Sequence, residues 1–338
     1  MLTIDGETGE GGGQVLRTSL ALSMCLGRPI EIRNIRVKRK KPGLRPQHLA
    51  AVQAATTISK ARVEGAEIGS RQLRFRPQGV FPGKYDFDIG TAGSTTLVAQ
   101  TVLPALMLAT APSRLTIHGG THNPLAPTFD FFDQAFCTQL NRLGPRIRAT
   151  LERPGFFPKG GGIMHLDIQP ADRLRPLGLM ARGDVQLQWA EILLAHLPKH
   201  IAQRERDTIS GGLALTDDQV NVRLADTSSG PGNVVTVFIE SEHVTEVFSC
   251  CGQRGMPAEK VAATVVGDTL SYLRAEVPVG FYLADQLLLP LALARRGEFV
   301  TRRPSSHTTT NMTIINLFTG IEFDSRQIRE GAWRIGID

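Results

Sequence analysis

The stretch Arg302-Arg303-Pro304-Ser305-Ser306-His307-Thr308-Thr309-Thr310-Asn311 places one histidine just after a proline and two serines. The apolar run Met312-Thr313-Ile314-Ile315-Asn316-Leu317-Phe318 follows. Ser305 or Ser306 fits the N-cap of a helix over that run, because a hydroxyl oxygen can accept a first-turn N–H. His307 would then stand at a helix N-terminus, where the positive dipole end attracts anions and favours a neutral imidazole. A neutral imidazole beside an anion site is a nucleophile toward phosphorus. The same residues also make an ordinary polar first turn, and by themselves they do not separate the two.

Three other stretches have the residue types that phosphate chemistry needs. Gly9-Glu10-Gly11-Gly12-Gly13-Gln14 lies between a short strand and a helix. Glycines there let backbone N–H groups approach an anion. The loop lacks the Gly-Lys-Ser/Thr ending of a P-loop and the spacing of a dinucleotide fingerprint, and a structural tight turn fits equally well. Glu10 inside it makes sense beside phosphates mainly as a metal ligand. Arg36–Arg45 holds six basic residues in ten around Pro42-Gly43. Such a turn binds phosphate or nucleic-acid backbone, or is simply a solvated charge run. Tyr282, Asp285 and Gln286 share a helical first turn, where an aromatic can stack on a base and a carboxylate can accept from ribose hydroxyls; a cap with core packing is the plainer reading. His196 and His200 are four apart, but Pro198 between them argues against a zinc pair.

The elements that must position these residues repeat. Each unit reads helix, strand, turn, helix, strand, strand. The first two glycine-rich helix entries, Gly9–Gln14 and Ile89–Ser94, lie about 80 residues apart. A third copy begins at Val279-Gly280. In this alignment the basic turn, the His122-Asn123-Pro124 turn and the His307 turn are equivalent positions. The expected division is a large body over residues 1–171 and 276–338, with repeats at about 1–83, 84–171 and 276–338. A small α/β domain over 172–275 is inserted in it. The fold class is α/β (α+β).

A chain of 338 residues suits two domains, and its net charge of +6 suits an anionic partner. The start of the chain has no basic region followed by an apolar one, so no signal peptide is expected. Thr96–Ala111 and Leu283–Ala294 are the most apolar runs, and both are too short to span a membrane. Cys25, Cys137, Cys250 and Cys251 form no CxxC motif, which suggests a reducing, cytoplasmic setting.

Taken together, several motifs resemble one family. They are GEGGGQVLR at Gly9–Arg17, KPGLRPQH at Lys41–His48, GTAGSTTLVAQTVLPAL at Gly90–Leu106, GGTHNP at Gly119–Pro124, YLADQLLLPLAL at Tyr282–Leu293 and the His307 turn. In this order they resemble RNA 3′-terminal phosphate cyclase, and the resemblance covers the whole chain. It implies three repeats similar to the C-terminal domain of translation initiation factor 3, with a small inserted α/β domain. It implies ATP-dependent conversion of an RNA 3′-phosphate to a 2′,3′-cyclic phosphate, with Mg²⁺ or Mn²⁺, through enzyme-histidinyl-AMP and RNA-adenylate intermediates. His307 is implied as the adenylylated nucleophile and Glu10 as a residue near the metal. Gln100, Pro127, Tyr282, Leu283, Ala284, Asp285 and Gln286 are implied in the adenylate pocket, with Tyr282 and Pro127 sandwiching adenine. Arg17, Arg36, Arg39 and Gln47 match positions on the RNA and phosphate side. Ser306 stands where many members have cysteine. The implied partners are ATP and an RNA with a 3′-phosphate end, with no membrane; the oligomeric state is left open. Related folds without this chemistry are a silent cyclase-like protein, which would lack His307, and an enolpyruvyl transferase, which uses no covalent AMP-histidine. A plain RNA-binding module would need neither Glu10 nor an adenine pocket.

Overall fold

The computed structural model describes residues 1–337. The first unit runs β1 (Leu2–Asp5), α1 (Gly13–Leu26), β2 (Ile30–Arg33), α2 (Pro46–Ser59), β3 (Arg62–Glu64) and β4 (Leu73–Arg76). The second runs β5 (Lys84–Asp88), α3 (Thr95–Leu106), β6 (Ser113–Gly119), a π-helical turn (Phe131–Cys137) leading into α4 (Thr138–Arg142), β7 (Arg146–Arg153) and β8 (Gly162–Gln169). A short strand, β9 (Leu177–Leu179), precedes β10 (Val185–Ala195), α5 (Lys199–Leu213), a 3₁₀ turn (Asp217–Gln219), β11 (Val220–Leu224), β12 (Gly232–Ser241), β13 (Thr245–Cys251) and α6 (Ala258–Ala275). The chain closes with α7 (Phe281–Ala294), β14 (Gly297–Thr301), α8 (Ser306–Thr319), β15 (Asp324–Arg329) and β16 (Ala332–Ile337).

Three of the four sheets share one topology. Their strand orders are β1-β2-β4-β3, β5-β6-β8-β7 and β9-β14-β16-β15. In each, the first two strands are parallel, and the remaining pairs are antiparallel. The repeating unit therefore starts with a strand before its first helix. In the third unit that strand is β9, which pairs with β14 in the register Gly297↔Leu177 to Phe299↔Leu179. Residues 177–179, expected to open the inserted domain, are thus part of the third sheet. The fourth sheet, β11-β10-β12-β13, carries α5 and α6 and interrupts the third unit between β9 and α7.

Two further expectations move. The strand expected at Ile321–Asp324 starts at Asp324, because Ile321 and Phe323 turn onto the core while the polar run Asp324–Arg329 forms an edge strand. The helix expected at about Phe129–Leu143 begins as a π turn that buries Phe131, Phe132 and Phe136 together.

One large core joins the three units, with Leu16, Leu20, Val98, Val102, Leu287, Leu288, Ile314 and Ile315 contributing from α1, α3, α7 and α8. A second core lies under α5 and α6, around Ile192, Ile209, Val261 and Tyr272. Trp189, Phe238, Val244 and Val247 of the inserted sheet pack on the large core, so its other face is shared with the three-unit body. Among the described residues no helix is long and apolar enough to cross a membrane. Leu179 is 1% exposed. Leu179→Ala should therefore cost about 2–5 kcal/mol in denaturant unfolding; a loss near zero would remove β9 from the folded third sheet.

Candidate active site

Helices α1 and α8 lie side by side with their N-termini at the same end of the molecule, and α7 packs on α8. A polar seam joins them. Thr18 Oγ1 donates to Asn311 Oδ1 at 2.7 Å, and Asn311 Nδ2 donates to the Asp285 carbonyl at 2.7 Å. One turn nearer the N-termini, Gln14 Nε2 donates to Asp285 Oδ2 at 2.9 Å, and Gln14 Oε1 lies 3.0 Å from His307 Nδ1. Gln14 and Thr18 are four apart on one helix, as are His307 and Asn311 on the other. This is the spacing at which side chains share a helix face.

The local sequence builds each end. Ser305 caps α8: its Oγ accepts the Thr308 N–H at 3.0 Å, and Thr308 Oγ1 accepts the Ser305 N–H at 3.3 Å. That fixes His307 as the second residue of the helix. Opposite, the Gly9–Gly13 loop brings Glu10 in, with its backbone N–H 3.3 Å from Thr310 Oγ1. Gly9 has φ +57, and a Cβ there would overlap Thr310, so the close approach of loop to helix requires glycine. Glu10 Oε2 reaches His307 Nε2 at 3.0 Å and Arg39 at 3.4 Å.

The electrostatics differ from the expected neutral imidazole. The hydrogen bond that His307 donates to Glu10 raises the His307 pKa above its ordinary value against the opposing pull of burial, with the charges of Glu10 and Asp285 adding to the rise. A carboxylate at hydrogen-bond distance outweighs the half charge of a helix N-terminus. For Glu10 burial is the largest influence and pushes upward, but the hydrogen bond and charge of His307, then Arg39 and Arg17, hold its pKa below the ordinary value. Burial raises Asp285 to about 6, with His307 and Arg17 pulling it back. Burial lowers Arg17 to about 10, and Asp285 and Glu10 support its charge.

Of the expected residues, His307, Glu10, Arg17, Arg39 and Asp285 thus form one interacting group. Gln100 donates to Gln286 Oε1, and both line a cleft with Gln14, Arg17 and Asp285. Pro127 and Tyr282 lie outside that lining. Tyr282 is half exposed, and its ring meets Phe281 edge-on with centroids 5.4 Å apart. Leu283 and Ala284 are buried in the large core, so their side chains serve packing. Arg36 donates to the Lys41 and Gly43 carbonyls at 2.8 and 2.9 Å, which shapes the basic turn itself. Gln47 Oε1 accepts the Ser94 N–H at 3.1 Å, tying α2 to the start of α3.

Three site residues escaped the sequence reading. Gln14 and Asn311 are the polar partners at the interface of α1, α7 and α8; the signal was their i, i+4 spacing from Thr18 and His307. His48 is buried, accepts the Arg45 N–H at 3.2 Å, and has its pKa lowered to about 3 by burial and by Arg17, Arg36 and Arg45. It is a neutral imidazole set among cations. Among the described residues no group of three or more His, Cys, Asp or Glu forms a metal centre.

The Glu10–His307 pair has a direct readout. In NMR of protein with ¹³C-labelled histidine, His307 should titrate above 6.5, and Glu10→Gln should shift that titration to lower pH. Equal titration midpoints in the two proteins would show that Glu10 does not hold the proton on His307.

Comparison with known proteins identifies the family. Residues 8–325 match the family described as RNA 3′-terminal phosphate cyclase. A protein from Koribacter versatilis (strain Ellin345) named RNA 3′-terminal phosphate cyclase is 48% identical over 324 residues, covering 96% of this chain and 91% of its relative. With its three matching sheets, its interrupting fourth sheet and a histidine at the meeting point of the α1 and α8 N-termini, the chain belongs to the RNA 3′-terminal phosphate cyclase family.

Proposed function

We propose that this enzyme converts the 3′-phosphate of an RNA end to a 2′,3′-cyclic phosphate, and that it does so at the expense of ATP with His307 as the nucleophile. The observation that carries the role of His307 is its contact with Gln14. Above about pH 6 the Asp285 carboxylate is an acceptor only, so the amide of Gln14 turns its Nε2–H₂ to Asp285 and its oxygen to His307. His307 Nδ1 must then carry a proton. The basic lone pair is confined to Nε2, the nitrogen that faces Glu10 and the glycine loop.

The chemistry follows from that tautomer. Once Nε2 gives up its proton to solvent and leaves Glu10, it attacks the α-phosphorus of ATP; an N–P bond forms, the P–O bond to the β-phosphate breaks and pyrophosphate departs. An oxygen of the RNA 3′-phosphate then attacks the same phosphorus, and the imidazole leaves. Finally the neighbouring 2′-OH attacks the 3′-phosphorus, closing the ring, with AMP as leaving group and the hydroxyl proton passing to solvent. The last step is intramolecular, with an effective molarity on the order of 10⁵ M or more. It asks little of the protein beyond positioning.

Other residues take supporting roles in this reading. Asp285, Gln100 and Gln286 face the cleft where a nucleoside would lie, and Tyr282 and Pro127, beyond its lining, are the aromatic and apolar groups that would flank the base. Arg17 and Arg39 supply positive charge beside Glu10, and Arg36 and Gln47 hold the turn and helix start through which the RNA phosphate would approach. Mg²⁺ commonly takes one or two protein carboxylates and completes its shell with phosphate oxygens and water, so a lone Glu10 beside a phosphate site fits such an ion. When bound there, a divalent ion would neutralise triphosphate charge. The large three-unit body would carry this chemistry, with the α5–α6 domain as an insertion.

Incubating the protein with α-labelled ATP and Mg²⁺ or Mn²⁺ should yield an acid-labile, base-stable label on wild type and none on His307→Ala. An unlabelled wild type, or equal label on the variant, would overturn the assignment. A 3′-phosphorylated end lacking the 2′-OH should accumulate as the adenylylated species, and finding cyclic product from a DNA end would refute the intramolecular last step.

A further inference from the structure

Strand β13 of the inserted sheet touches the nucleotide end of the candidate site on both of its faces. Glu246, 1% exposed, accepts the backbone N–H of Gly280 at 2.5 Å. Gly280 is the N-cap residue of α7, the helix whose first turn carries Tyr282, Asp285 and Gln286. Having no side chain, Gly280 offers no cap of its own. The approach is close enough that a Cβ on Gly280 would fall 2.9 Å from the Glu246 carboxyl. Three residues on, and so on the opposite face of the strand, Ser249 Oγ lies 3.1 Å from Thr128 Oγ1. Thr128 follows Pro127, whose carbonyl accepts Thr96 Oγ1 at 2.7 Å. One strand of the insertion therefore holds the start of the Tyr282 helix and the end of the Pro127 loop.

We propose that Glu246 is a positioning residue for ATP binding: from the inserted domain it fixes the N-terminus of α7 and so sets Tyr282, Asp285 and Gln286 against the Pro127 loop. This rests on the ATP reading given above. It assigns the insertion a task in the reaction, namely to hold the first turn of α7 and the Pro127 loop, the two segments that would flank the nucleotide, at a fixed separation. Chemistry supports it in two ways. A carboxyl oxygen at a helix N-terminus lies at the positive end of the dipole. The Gly280 N–H is buried against the insertion, so removing its acceptor would leave an unpaired donor, which costs more than the bond itself contributes. The carboxyl has no cation paired to it: burial raises its pKa to about 8, and the Gly280 and Val247 N–H groups pull it partly back. A neutral carboxylic acid still accepts an N–H through its carbonyl oxygen, so the bond persists at neutral pH.

The test compares Glu246→Leu, which keeps volume and removes the acceptor, with Glu246→Gln, which keeps the acceptor. Glu246→Leu should raise the ATP concentration for half-maximal adenylylation by about 5–30-fold, the equivalent of one unpaired buried donor. Its maximal rate should stay within about threefold, and Glu246→Gln should restore the wild-type value to within about twofold. Hydrogen exchange should quicken in the peptide covering residues 278–287 and stay unchanged in α5. Cyclisation of a chemically prepared adenylylated RNA end, which needs no ATP, should match wild type. If Glu246→Leu does not fold, Gly280→Ala displaces the same carboxyl with an allowed backbone and should raise the ATP requirement in the same way. Unchanged ATP dependence in these variants, a Gln variant as impaired as the Leu variant, or equal slowing of the preformed adenylylated end would each overturn the proposal. A wild type that takes no label from ATP would instead sink the ATP reading beneath it.

Discussion

The interface between α1 and α8 is the constraint on which the rest of the site depends. Two helices from opposite ends of the sequence meet through four polar side chains, Gln14, Thr18, His307 and Asn311, beside the large apolar core. Asp285 of α7 completes the set. Buried polar groups are tolerated only when they are paired, and here each pair is also a register mark. Sliding α8 by one turn would break both the Thr18–Asn311 and the Gln14–His307 pair. The packing of the first and third units is thus specified by the same bonds that select which imidazole nitrogen carries the proton.

The resting site is held in a closed electrostatic form. Glu10 and His307 pair as opposite charges, Arg39 lies beside Glu10, and the charges of Asp285 and Glu10 support that of Arg17. In the proposed reaction the imidazole is protected by its own carboxylate partner and gains nucleophilicity when that partner is drawn away. A polyanionic substrate entering between the glycine loop and the basic turn would compete for the same cations. In that reaction the site would change its protonation state on binding rather than wait in the reactive state.

Much of this was legible in the sequence because it depends on short-range rules. The cap at Ser305, the glycine loop and the basic turn each announce themselves locally, and the spacing of the glycine entries exposes the repeat. Other features depend on partners far away in sequence. Nothing near His307 reveals Glu10, which outweighs the helix dipole. Gln14 and Asn311 sit in apolar helices where a polar residue looks incidental until the facing helix is known. Leu177-Gly178-Leu179 is too short to stand out among prolines and arginines, and only pairing with β14 makes it a strand. The strand misplaced at Ile321–Asp324 shows the converse: apolar residues marked core contacts, and the polar Asp324–Arg329 made the sheet edge.

The interruption of the third unit bears on how the chain is made. β9 emerges from synthesis early, yet its neighbour β14 lies over a hundred residues downstream. The first two units can close their sheets as soon as their own strands exist, whereas the third must wait for the whole α5–α6 segment. Its loop-closure cost rises only as the logarithm of that length, so the delay is one of order and not of equilibrium. Because His307 belongs to this last unit, it takes its place after the glycine loop, the basic turn and the inserted strand have been synthesised. A nascent chain would therefore carry the glycine loop and the basic turn without His307 until its final segment joins the fold.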